Sequence, residues 1–93
     1  MSATAVVRSY LAREFSKGVR DFQLPSTNDL DFAVRLQDGT ERFFRVSCEA
    51  AEETEDLRGD LERWKVADEI RQALPNVQVV LTTTGVRTQI FSR

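Results

Sequence analysis

Apolar residues recur at helical spacing in two stretches of the chain and at every second residue in four shorter ones. Val7, Leu11 and Phe15, joined by Tyr10, mark one face of a helix over 4–17. Ser2 or Thr4 caps its start, Lys17 suits the negative end of its dipole, and Gly18 ends it in a left-handed conformation. Segment 19–29, with Pro25 and Ser26-Thr27-Asn28-Asp29, reads as a connection.

In 30–36, Leu30, Phe32, Val34 and Leu36 alternate with Asp31, Ala33 and Arg35, which describes a half-buried strand. A second strand, 40–48, follows across Asp38-Gly39. A two-residue loop there would put Val34 opposite Phe43 and set charges on the apolar face. A three-residue loop, Gln37-Asp38-Gly39, instead pairs Leu30 with Val46, Phe32 with Phe44 and Leu36 with Thr40. That loop needs a left-handed third residue, which Gly39 supplies. Cys48 continues the apolar face, and Arg42 is the residue out of place on it.

Beyond the acidic run 49–56, Leu57, Leu61, Trp64, Ala67, Ile70 and Leu74 define a helix over 57–74, stopped by Pro75 and Asn76. Gly59 argues for a start after it. Strands 77–83 and 86–92 form a second hairpin around Thr84-Gly85, with Val79 opposite Ile90 and Leu81 opposite Thr88.

The order α-β-β-α-β-β predicts an α+β two-layer sandwich in one domain spanning 1–93, with the 57–74 helix packed on a four-stranded, mainly antiparallel sheet. Counting the strands along the chain, the preferred spatial order is 2-1-3-4, and 1-2-4-3 is the alternative. Both keep every pair antiparallel; the first also centres the most apolar strands and leaves the arginine-bearing ones at the edges. Phe32, Phe44, Trp64 and the aliphatic stripe are the expected core.

Composition narrows the chemistry. Among 93 residues there is no histidine and one cysteine, so the commonest general base and the usual zinc ligand sets are missing. The four glycines are scattered, and no phosphate-cradling loop or nucleophile elbow is present. No cofactor or metal is expected, and catalysis is disfavoured. Cys48, placed on the core face, reads as an inert buried thiol, and a single unpaired cysteine suits a reducing compartment. The start of the chain lacks a secretory pattern, so a cytoplasmic location is expected, with no membrane association.

Net charge is −2, with 7 basic and 6 acidic residues in 1–48, 4 and 9 in 49–76, and 2 and 0 in 77–93. The acidic run Glu49, Glu52, Glu53, Glu55 and Asp56 lacks calcium-loop spacing and reads as a solvated helix start. The second face of the sheet is the candidate binding surface. It carries Phe43 and Phe91 among Arg35, Arg45 and Arg87, residue types enriched at protein interfaces. The expectation is a small non-catalytic protein-interaction or regulatory module, binding a protein partner or a second copy through that face. The alternative is a single-stranded nucleic-acid binder stacking bases on the same aromatics. Cover from helix 4–17 would remove both.

Overall fold

In a computed structural model, which describes residues 2–22 and 28–90, helices pack on one face of a five-stranded mixed sheet. Helix α1 (Ala3–Glu14) starts at Ser2, whose hydroxyl accepts from the Ala5 amide at 3.2 Å. It buries Val7, Tyr10 and Leu11, with Phe15 just beyond its end, as the periodicity predicts.

The chain next forms β1 (Val19–Phe22), a strand absent from the sequence reading. Val-Arg-Asp-Phe does not alternate, so local pattern gives no strand signal. Pairing does: β1 lies antiparallel to β2 (Leu30–Arg35), with Val19 opposite Val34. Strand β2 pairs with β3 (Glu41–Val46) in the predicted register, Leu30 opposite Val46 and Phe32 opposite Phe44. The loop closes as expected. Leu36 N–H donates to the Thr40 carbonyl at 2.8 Å, and Gly39 takes φ +88°. Asp38 secures the turn by accepting from the Thr40 hydroxyl and amide, and these two bonds hold its carboxyl below the ordinary value.

Strand β3 ends at Val46. Ser47 caps a short helix, α2 (Cys48–Glu53), by accepting from the Ala50 amide at 3.1 Å. Cys48 therefore begins a helix rather than extending a strand, and it is half-buried instead of lying in the core. The predicted 57–74 helix is two helices, α3 (Leu57–Arg63) and α4 (Val66–Gln72). Lys65, at φ 52°, breaks them apart in the left-handed region. Gly59 lies inside α3, not before it. Asp56 caps α3 through the Gly59 amide at 3.0 Å, and a Cβ at Gly59 would overlap that carboxylate.

Helix α4 is short and is held from other elements. The Tyr10 hydroxyl accepts from the Ala67 amide at 3.1 Å near its start, where Lys65 offers no side-chain cap. At its end, Arg42 Nε donates to the Ala73 carbonyl at 2.8 Å. Arg42, out of place on the apolar face by pattern, is thus a helix C-cap with two further bonds to Thr40 and Glu41.

Strands β4 (Val77–Thr82) and β5 (Gly85–Ile90) form the last hairpin. Its loop is Thr83-Thr84, so Val79 faces Thr88 and Val77 faces Ile90, two residues from the predicted register. A shift of two preserves the faces. Gly85 belongs to the strand, not the turn; Trp64 lies over it, 3.5 Å from where a Cβ would stand.

The sheet order is β1-β2-β3-β4-β5, with β3 and β4 parallel and all other pairs antiparallel. Four antiparallel strands in the order 2-1-3-4, or 1-2-4-3, are thereby corrected. The reason lies in β3 and β4 themselves: each is buried on both faces along most of its length, which belongs at the centre of a sheet. Helices α2–α4 provide the crossover between them. The arginines that suggested an edge position for β3 are satisfied internally, so they place no demand for solvent. The core joins Phe32, Val34, Phe44, Val46, Val79 and Leu81 to Val7, Leu11, Leu61, Val66 and Ile70. Trp64, expected there, is 43% exposed, and Leu74 is 66% exposed. Both follow the ends of their helices, where the apolar stripe runs off the packed face.

Candidate interaction surface

The sheet presents two surfaces that the helices leave open. One is the face opposite them. The other is the outer edge of β5.

Register places Asp31, Ala33 and Arg35 of β2 on the outer face, with Phe43 and Arg45 of β3, Gln78 and Val80 of β4, and Arg87 and Gln89 of β5. Helix α1 does not cover it, since α1 packs into the core on the opposite side. The centre of this face is nonetheless buried. Phe43 is 7% exposed, and Asp31, Ala33, Gln78 and Val80 are each 1% exposed.

Its polar groups are bonded to one another. Arg45 Nε donates to Asp31 Oδ1 at 2.8 Å, and Arg45 Nη1 stands 3.5 Å from Asp29 Oδ2. Gln78 Nε2 donates to the same Asp31 oxygen at 3.2 Å, and Gln89 Nε2 donates to Gln78 Oε1 at 2.8 Å. A chain of side chains thus crosses β2, β3, β4 and β5. Asp31 Oδ2 is buried without a hydrogen bond. Charge pairing to Arg45 offsets the cost of burying this carboxylate. The register read from the sequence already sets Asp31 opposite Arg45 across the strand pair; what it does not show is that Asp29 and Gln78 join them.

The predicted binding residues are therefore not gathered into one exposed site. Phe43 lies within the face, and Arg45 is held by two carboxylates. Arg35 is exposed and donates to the Gly39 carbonyl at 3.4 Å; it lines a groove of about 330 Å³ with Phe15, Leu36 and Arg71. Arg71 there stacks on Phe15 and pairs with Glu14 and Asp68. Arg87 is exposed on β5, across the sheet from Arg35. Phe91 lies outside the described residues.

Asp29, Cys48 and Glu49 bring three ligand-type atoms within 4.8 Å of one another. Asp29 is already engaged, since Oδ1 accepts from the Cys48 amide at 2.8 Å and Oδ2 faces Arg45. The Cys48 thiol is pushed up, first by desolvation, then by its hydrogen bond to Glu49 and the charges of Glu49, Asp29 and Glu52. Desolvation first, and the acidic setting with it, disfavours the reactive thiolate.

The β5 edge differs in kind. The helices pack along β1 to β4, and none is laid along β5 among the described residues. The helix-side residues of β5 are Val86, half-exposed, Thr88, exposed, and Ile90, 76% exposed. Trp64 flanks the Gly85 end of the strand. Leu74 lies beyond the end of α4, where its carbonyl accepts from the Val77 amide at 3.0 Å at the start of β4. Trp64, Leu74 and Ile90 are the large exposed hydrophobic residues of the described chain; Trp64 lies over the start of β5 and Ile90 ends it. No pattern within 86–92 signals this, because edge position is a property of the whole topology.

No helix of the described residues is long and apolar enough to cross a membrane. Comparison with known protein families, curated proteins and solved structures finds no match to this chain.

Proposed function

We propose that this chain is a small non-catalytic interaction module that binds an extended protein segment by strand addition at β5. The observation that carries this reading is a continuous six-residue edge strand with no helix along it, with Trp64 over its Gly85 end and Ile90 exposed at the other. Such an edge offers unpaired backbone groups to another strand. Sheet edges are commonly blunted by proline, lysine, a bulge or short length. Strand β5 contains no proline, its one charge, Arg87, lies on the outer face, and its pairing to β4 runs without a bulge from Gly85 to Ile90. Backbone bonds would supply affinity, and side chains on the helix side of the strand would select the partner.

Nuclear magnetic resonance titration with an extended peptide of alternating apolar and polar residues tests this. The amide signals of Val86, Thr88 and Ile90 are expected to move together. Movement confined to the outer face or to the Arg35 groove would overturn the assignment.

A further inference from the structure

We infer that the strand added to β5 is β5 of a second copy, running antiparallel about a two-fold axis at Thr88. This rests on the strand-addition reading and names its partner.

The two-residue loop makes Thr82 and Gly85 the closing, hydrogen-bonded pair of the hairpin. Alternation then turns the backbone groups of Arg87 and Gln89 toward β4, and those of Val86, Thr88 and Ile90 toward the open edge. A closed dimer needs a two-fold axis, which between antiparallel strands passes through a hydrogen-bonded or a non-hydrogen-bonded pair. Centring on Arg87 would set two arginines opposite each other, and centring on Gln89 would pair only Thr88 to Ile90 of the described residues. Centring on Val86 would pair the strand with its own loop. Centring on Ile90 would leave half of β5 without a partner in β5. Centring on Thr88 uses the strand from Val86 to Ile90 and forms about six backbone hydrogen bonds in three pairs.

The side chains fit this axis. Val86 stands opposite the partner's Ile90, and Thr88 opposite the partner's Thr88. On the outer face Arg87 stands opposite the partner's Gln89, so no like charges meet. Arg87 makes no hydrogen bond or ion pair among the described residues. Gln89 donates its amide to Gln78 and leaves its carbonyl oxygen free to accept. Arg87 of one copy thus extends the Asp31–Gln78–Gln89 chain of the other. The same rotation brings the Trp64 end of one copy beside the Ile90 end of its partner, so two exposed hydrophobic residues per copy meet by one operation.

Sedimentation equilibrium on the full chain tests this with a charge swap at the axis. Thr88 is exposed, so Thr88→Glu and Thr88→Lys preserve the fold. The wild type is expected to be a dimer. Each variant alone places like charges opposite each other and should associate roughly tenfold or more weakly. An equimolar mixture of the two should regain dimer as a heterodimer. A wild type that stays monomeric, or variants that associate as the wild type does, would overturn the inference. If the wild type is monomeric while the extended peptide still moves Val86, Thr88 and Ile90, the second copy is wrong and strand addition stands. If the peptide also leaves those amides unmoved, both fall.

Discussion

Strands β1 and β5 both end the sheet, but β1 is four residues long and β5 six. Helix α1 packs against β1, Arg8 of that helix pairs with Asp21 at 2.9 Å, and Arg20 pairs with Glu41 of β3 at 3.3 Å. Strand β5 is covered only at its start, where Trp64 lies over Gly85 and Val86 touches the core, and Thr88 and Ile90 beyond are exposed. A short, charged strand under a helix is a finished edge. A longer one with Thr88 and Ile90 open on its helix side, and Val86 only partly covered, is an unfinished one. The contrast teaches that exposure on this molecule is set by how far the helical layer reaches. It covers the sheet from β1 to β4 and stops there.

Four substitutions probe that contrast by equilibrium unfolding. Phe44 is fully buried at the centre of the covered region, so Phe44→Ala should cost about 3–5 kcal/mol. Asp31→Ala leaves the Arg45 guanidinium and the Gln78 amide without their shared acceptor and should cost about 3 kcal/mol. Gly39→Val meets no atom within 4 Å but must hold φ +88°, and should cost about 1–2 kcal/mol. Ile90→Ser, on the open edge, should change unfolding by no more than about 0.5 kcal/mol. A large loss at Ile90 would show the edge to be part of the folded core and erase the contrast. A small loss at Phe44 would do the same from the other side.

Much of this architecture is legible in the sequence where one local rule decides it. Gly39 and the alternation around it select the Phe32–Phe44 register without further help. The second hairpin is read two residues out because Gly85 looks like a turn residue. Its place is instead under the Trp64 ring, a contact made between distant segments. Strand order is not legible, because Arg42 and Arg45 suggest an edge for β3 until their partners Ala73, Asp29 and Asp31 are known. Strand β1 has four residues and no alternation, and only pairing to β2 makes it a strand.

The surface was legible in residue type more than in place. Phe43, Arg35, Arg45 and Arg87 do share the outer face by register, as alternation predicts. Burial of Phe43 depends on neighbours that periodicity does not reveal, whereas the register already sets Arg45 opposite Asp31 and only Asp29 joins from outside it. Trp64 and Leu74 carry the periodicity of core residues but lie where their helices have ended.

Amide hydrogen exchange at increasing protein concentration tests the open edge most directly. Protection at Val86, Thr88 and Ile90 should rise with concentration, while protection at the β1 amides stays constant. Exchange at those three amides that is independent of concentration, with new protection on the outer face or in the Arg35 groove, would contradict the account.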